Sequence, residues 1–264
     1  MKKAIVIGAT SGLGREIAMN LVREGWVVGI AGRRVELLEE LANEMNIIIR
    51  SVSVGPLKEE DNMSGRGEVV YERIDVTTED AVEGVERLVE RLGGMDLFVN
   101  VAGVGFQNPT LDPKVEKYTF DVNGYGFMRM VDWAYNYFKS NGREGQIAIV
   151  SSIAGTKPLG TAAAYSATKR MQSHYITALA QLARMEGVNI KFTDIRPGFA
   201  ATDILNPNKH YPMMMAKEYA GRLATRAILK KRRVAIVDWK FAVLTFFWSL
   251  IPRCVWERLT FVKN

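Results

Sequence analysis

Tyr165 and Lys169 stand four residues apart in the run Tyr165-Ser166-Ala167-Thr168-Lys169, so on a helix they share one face. A lysine ammonium beside a phenol favours the phenolate, and a tyrosine placed this way can exchange a proton near neutral pH. The spacing alone is weak: with nine Tyr and fifteen Lys in 264 residues it arises by chance, and a second copy stands at Tyr135 and Lys139. Context separates the two copies. Ser151-Ser152-Ile153-Ala154-Gly155 lies upstream of the first at an expected strand end, with Ser152 thirteen residues before Tyr165, whereas the second has Val122 at that offset.

A second constellation suits phosphate. Gly8-Ala9-Thr10-Ser11-Gly12-Leu13-Gly14 follows the apolar run 3–7 and opens an amphipathic stretch. A pyrophosphate can sit there on the free N–H groups at the positive end of a helix. Gly8, Gly12 and Gly14 let the backbone approach the ligand and the helix pack on the strand, with Thr10, Ser11 and Leu13 completing the turn. In dinucleotide folds the end of the second strand carries an acid for the ribose 2′-hydroxyl of NAD. Here that stretch is Ala31-Gly32-Arg33-Arg34, with no carboxylate and two guanidiniums able to pair with a 2′-phosphate. The expected cofactor is therefore NADP(H), held by Arg33 and Arg34, with Arg15 as a further phosphate ligand. The competing reading is that both arginines merely start a solvated helix.

These residues need elements to position them. Short β-rich runs at 3–7, 26–31, 68–73, 96–101, 146–151, 188–195 and 233–238 alternate with helical patterns near 12–24, 34–45, 78–92, 113–140, 163–186 and 213–230. Such alternation implies an α/β fold, a doubly wound parallel sheet of about seven strands with helices on both faces. The stretch 46–67, which begins with Ile47-Ile48-Ile49, is long for a connection and reads as an insertion. Neither a repeat nor a low-complexity tract is present, which removes solenoids and propellers.

Composition bounds the rest. The chain is 48% hydrophobic and 24% charged, as in an ordinary folded domain, and a single α/β domain of this length is common. One cysteine, Cys254, excludes an intramolecular disulfide and a multi-thiolate metal site, and a reducing, cytoplasmic setting is expected. His174 and His210 lack partners at a motif spacing, so neither a metal centre nor a histidine base is expected. Of the net charge of +6, residues 209–264 carry twelve Lys/Arg against three Asp/Glu, while residues 1–208 are net acidic.

The glycine spacing GxxxGxG, together with the Ser152, Tyr165 and Lys169 pattern, resembles the short-chain dehydrogenase/reductase family in its short single-domain branch. Further matches in chain order are Asp75-Val76, Asn100-Val101-Ala102-Gly103, Phe120-Asp121-Val122-Asn123-Gly124, and Arg196-Pro197-Gly198-Phe199 followed by Thr202. Two positions depart from the family pattern: Ile7 stands where Thr is usual, and Val101 where a second Asn is usual. The resemblance covers residues 3–238 and implies a Rossmann-type sheet and hydride transfer between nicotinamide and a carbonyl or alcohol. It implies that Ser152 binds the substrate oxygen, that Tyr165 moves the proton, that Lys169 also holds the nicotinamide ribose, and that Asn123 supports a proton-relay water. It adds Asp75, Val76, Asn100, Ala102, Gly103, Pro197, Gly198 and Thr202 to the cofactor set, and an assembly of two or four copies. A cofactor-binding regulatory or scaffold protein without chemistry is the alternative.

The tail, 239–264, lies beyond these motifs and is expected to pack on or extend from the catalytic domain, 1–238. Its apolar run 241–251 is too short to span a bilayer, and Pro252 interrupts its helix. Trp239, Trp248 and Trp256 and the cations Lys240 and Arg253 leave three readings open: a helix at a membrane interface through 239–258, a lid over a lipophilic substrate, or a subunit contact. Phe199 and Met213-Met214-Met215 suggest a pliable apolar pocket. Nucleic acid is not an expected partner.

Overall fold

The computed structural model describes residues 1–52, 68–203 and 211–260. Seven parallel strands form one sheet in the order β3-β2-β1-β4-β5-β6-β7. They are β1 (Lys3–Ile7), β2 (Val27–Gly32), β3 (Val70–Arg73), β4 (Leu97–Asn100), β5 (Gly145–Val150), β6 (Ile190–Pro197) and β7 (Val234–Val237). Side chains alternate through the sheet, as strand geometry requires. Ala4, Val6, Val28, Ile30, Leu97 and Val99 enter one core, with residues of α1 (Gly12–Arg23), α2 (Val35–Val52) and α7 (Lys217–Leu229). Ile5, Ile7, Phe98, Ile147 and Ile149 enter the other, with α3 (Ala81–Leu92), α5 (Phe127–Asn141) and α6 (Ala163–Met185). Helices thus cover both faces, as the alternation of elements implies.

Strand order reverses between β1 and β4, and in open α/β sheets ligands bind at the carboxyl ends of strands beside such a switch. Gly8 leaves β1 and Val101 leaves β4 at that crevice, and the main-chain N–H groups of Val101 and Ala102 both donate to the Ile7 carbonyl, at 2.9 and 3.0 Å.

Three regions differ from the sequence expectation. The Ile47-Ile48-Ile49 run continues α2 to Val52 instead of starting a connection, because Met45 and the partly buried Ile48 and Ile49 pack on the core. The rest of the expected insertion lies outside the described residues. The helix expected over 113–140 is interrupted: α4 (Pro113–Phe120) and α5 flank a π-turn, Asp121–Gly126. A Cβ on Gly126 would stand 2.8 Å from the Val76 main-chain oxygen, so the wide turn and the loop after β3 meet backbone to backbone. Finally, α7 starts at Lys217 rather than 213, because Met215 bridges to Ala200 in extended backbone.

The tail forms α8 (Trp239–Ser249) and α9 (Arg253–Trp256), with Pro252 capping α9 at the interruption that its ring imposes. No helix among the described residues is long and apolar enough to cross a membrane.

Candidate active site

The glycine turn is a backbone cradle. Gly8 has φ +88°, and a Cβ there would lie 2.6 Å from the Ala102 nitrogen. A Cβ on Gly14 would lie 2.1 Å from the Gly8 carbonyl oxygen, so only hydrogen fits. Ser11 is the N-cap of α1, yet its side chain makes no capping bond, which leaves the first N–H groups of α1 without a side-chain acceptor. Its hydroxyl instead accepts from Arg34 Nη2 at 2.8 Å, and the Thr10 hydroxyl accepts from the same nitrogen at 2.9 Å. Arg34 therefore spans the rim of the turn, with Asp203 3.9 Å away. Arg33 points elsewhere and donates to the Tyr118 hydroxyl of α4 at 2.5 Å. Arg15 is not free for a phosphate: Glu44 of α2 accepts from it at 2.5 and 2.6 Å.

The remaining motif residues close around this turn. Asn100, 2% exposed at the end of β4, has neither amide atom bonded, and a buried unpaired amide asks for a ligand. Gly103 stands beside Asn123 and Lys169, its Cβ position 3.2 and 3.3 Å from Oδ1 and Nζ. Asp75 shapes its loop by accepting from the Thr77 N–H and hydroxyl at 3.0 and 2.7 Å, while Val76 is buried against the π-turn. Thr202 lies over Gly12, 3.1 Å from its Cβ position, and Pro197 and Gly198 end β6. Leu13 is buried in the core beneath the turn. A glycine-lined cradle, an uncapped helix start, an unpaired amide and a guanidinium over the rim all fit a dinucleotide phosphate and its neighbouring ribose.

Beside the cradle stand the reacting groups. Ser152 follows β5 and caps the 3-10 turn Ile153–Gly155, its Oγ accepting from the Ala154 N–H at 3.1 Å. A Cβ on Gly155 would be 2.8 Å from main-chain atoms of Lys169, so this glycine presses the serine's turn directly onto the backbone of α6. Tyr165 and Lys169 lie on one face of α6. Burial raises the Tyr165 phenol pKa above its ordinary value, against an opposing pull from the Ser152 hydroxyl.

The depression expected from Lys169 is thus absent in the chain alone. Its Nζ lies 5.8 Å from the Tyr165 ring centre and donates to the Val150 carbonyl at 2.9 Å and to Gln172 Oε1 at 3.1 Å. Burial lowers the Lys169 pKa to about 8, against the pull of Asp194 below it. Asp194 accepts from Arg196 at 2.7 and 2.8 Å and from the Ser151 hydroxyl at 2.5 Å, which fixes the base of the site.

Asn123 is fully buried inside the π-turn. Its side-chain amide closes a two-way bond with Val104, donating to the carbonyl at 2.7 Å and accepting from the N–H at 2.8 Å. The second Tyr/Lys copy is occupied elsewhere: Tyr135 and Lys139 bind the two oxygens of Glu186 at 2.6 and 2.7 Å, and burial with that carboxylate pushes the Tyr135 pKa up to about 12. His174 is exposed on α6, and His210 lies outside the described residues. No group of three metal-binding side chains occurs among the described residues.

Sequence reasoning passed over Gln172 and the inner face of the tail. Phe241 is fully buried against Gly198, a Cβ there falling 2.4 Å from its ring, and its own ring lies 6.1 Å from Phe199. Trp248 and Trp256 meet edge to face at 5.7 Å in a cluster with Leu159 and Tyr165. Two bonds tie the tail to the loop between Ser152 and Tyr165: Trp256 Nε1 donates to the Pro158 carbonyl at 2.8 Å, and Lys157 to the Ile251 carbonyl at 2.7 Å. The apolar run and its tryptophans were visible, but nothing in their spacing tells which loop they meet. Met215 is core, whereas Met213 and Met214 are exposed.

Known oxidoreductases are similar to this chain. An uncharacterized oxidoreductase of Myxococcus xanthus is 30% identical over 97% of this chain and 95% of its own. A farnesol dehydrogenase of Aedes aegypti is 30% identical over 77% of this chain and 79% of its own. An alcohol dehydrogenase of the archaeon Thermococcus sibiricus, solved with 5-hydroxy-NADP, superposes with a TM-score of 0.70 at 25% identity, covering 89% of this chain and 94% of that one. Among solved structures of this fold, some hold NADP and others NAD. The short chain dehydrogenase family model matches residues 2–211, which hold the glycine turn, Asn123, Ser152, Tyr165 and Lys169, and the chain belongs to that family of oxidoreductases.

Proposed function

We propose that this protein is an NADP(H)-dependent oxidoreductase that interconverts a carbonyl and an alcohol on a lipophilic substrate. The observation that carries the reading is the placement of Ser152, Tyr165 and Lys169 beside a glycine-lined cradle at the carboxyl edge of the sheet. The nicotinamide, when bound, supplies or receives the hydride. Ser152 holds the substrate oxygen, and Tyr165 gives that oxygen its proton or takes it back. Lys169, charged below about pH 8, stabilises negative charge on the phenol and holds the ribose. Asn123 fixes the loop that carries Gly103 and Val104. A panel of carbonyls and alcohols, followed by nicotinamide absorbance with both cofactors, tests the assignment, and the absence of turnover across a broad panel favours the regulatory alternative.

Arg34 supports the choice of NADP(H). It already bridges Thr10 and Ser11, where a 2′-phosphate would replace neutral hydroxyls with a charged acceptor, and no carboxylate is present in the 31–34 stretch to receive a 2′-hydroxyl. Arg34→Ala is expected to weaken NADPH binding at least tenfold, at about 1.5–3 kcal/mol per charge-assisted bond, and to change NADH affinity less than twofold. Arg33→Ala acts in the same direction but less, because Tyr118 holds Arg33. Fluorescence titration of each cofactor decides, and equal wild-type affinities sink the assignment.

The tail supports the lipophilic substrate, since Trp248 and Trp256 wall the space around Tyr165 with apolar surface. A farnesol dehydrogenase among the relatives is consistent with this. The opposite side of α8 presents Trp239, Val243, Phe246, Phe247 and Leu250 to solvent, each 46–69% exposed, and residues 239–256 contain no acid. This stripe, beside Lys240, Arg253 and Arg258, suits the interface of an anionic bilayer. The double variant Phe246→Ser/Phe247→Ser is expected to keep turnover of a water-soluble carbonyl and to lose most sedimentation with phosphatidylserine vesicles at low salt. Unchanged sedimentation removes the membrane contact and leaves α8 as a contact between copies.

A further inference from the structure

Gln172 lies one turn beyond Lys169 on α6, at i+3, and is 1% exposed. Its side-chain amide uses both ends inside the site. Oε1 accepts from Lys169 Nζ at 3.1 Å, and Nε2 donates to the main-chain carbonyl of Asn123 at 2.8 Å. The Asn123 carbonyl lies within the π-turn and is met there by a side chain from another helix. The remaining partner of the ammonium is the Val150 carbonyl at the end of β5.

We propose that Gln172 is a positioning residue that holds Lys169 charged and aimed beneath Tyr165 by bridging it to the carbonyl of Asn123. This rests on the reading of Tyr165 and Lys169 as the acid/base pair. The geometry makes the amide the suitable group. Only a side chain with a donor and an acceptor joins an ammonium to a carbonyl; a carboxylate keeps the acceptor and loses the donor, and an alkyl chain of similar size loses both. A buried ammonium with its acceptors removed discharges at lower pH. An amide also does not pass a proton along as a water does, so one lone pair of the Asn123 carbonyl is committed to a fixed link where the family resemblance implies a relay water. The charged and titratable groups facing Lys169 are Tyr165 on its own helix and Asp194 on β6, the latter paired with Arg196.

The test reads the ammonium directly in the cofactor-free protein. Protein labelled with 15N-lysine is titrated by NMR, with the Lys169→Met spectrum identifying the signal, for wild type, Gln172→Leu and Gln172→Glu. The expected result is a Lys169 pKa lower by about one unit in Gln172→Leu and higher by at least one unit in Gln172→Glu. The alkaline limb of kcat against pH, with a long-chain aldehyde and NADPH as probe substrates, is expected to move in the same two directions. If Gln172→Leu does not fold, the upward shift in Gln172→Glu carries the test alone. A pKa within a few tenths of wild type in every folded variant overturns the proposal and makes Gln172 packing only. If instead Tyr165→Phe and Lys169→Met retain full turnover, the acid/base reading fails and the positioning role falls with it. If those two are inactive while the Gln172 variants keep the wild-type limb, the positioning role alone is lost.

Discussion

Tyr165→Phe lowers kcat by about 10² to 10⁴, the usual range for removing a positioned acid or base, and leaves cofactor affinity within a few-fold of wild type. The deleted atom is the phenolic oxygen, which Ser152 meets, and the ring that packs with Leu159, Trp248 and Trp256 remains. Stability therefore changes little, and the loss falls on the chemical step. Tyr135→Phe is the control. It removes the bond to Glu186 and keeps Lys139 on the same carboxylate, far from the glycine cradle, so turnover stays near wild type. Steady-state rates and equilibrium titration of NADPH measure both variants side by side. Equal losses in the two tyrosine variants refute the choice between the pairs.

The second large effect is expected from a single methyl group. Gly14→Ala places a Cβ where the Gly8 carbonyl oxygen stands, 2.1 Å away, and both atoms belong to backbone that the sheet and α1 hold fixed. One of the two must move, which costs about 3 kcal/mol of stability as overpacking. The displaced turn also loses its fit to phosphate, and cofactor binding is expected to fall about 100-fold, equivalent to about 3 kcal/mol at 25 °C. Gly160→Ala adds the same methyl where no atom lies within 4 Å, and is expected to stay within about 0.5 kcal/mol of wild type. Urea unfolding together with calorimetric titration separates the two costs. A Gly14→Ala protein with wild-type affinity shows that the turn is not the phosphate site.

Much of this was legible in the order of residues because it depends on local rules. Alternation of apolar runs with amphipathic stretches fixes a parallel sheet, and glycine spacing between a strand and a helix marks a turn that side chains would block. The offset from Ser152 to Tyr165 separates the two Tyr/Lys pairs because one strand end and one helix face must converge, and the first pair is the one that stands by the glycine turn. What remained hidden depends on contacts distant in sequence. Arg15 looked free until Glu44 of α2 was placed against it, and Arg33 looked equivalent to Arg34 until Tyr118 of α4 took its guanidinium. The pKa of Tyr165 was expected to fall on the strength of a neighbouring charge, but burial, which sequence does not display, prevails. Ile47-Ile48-Ile49 reads in sequence as part of the long connection 46–67, yet tertiary packing carries the helix through it.

The contact of Gly155 with the backbone of α6 bears on how freely the sequence can drift. At Gly155 the turn that carries the serine rests main chain on main chain against α6, so side chains on the outer face of that helix take no part in this contact. Ala163, Ala167, Arg170, His174 and Ala178 all face outward on α6. Those positions are open to selection for assembly, solubility or new partners without touching this contact, whereas a side chain at position 155 would force the turn and the helix apart.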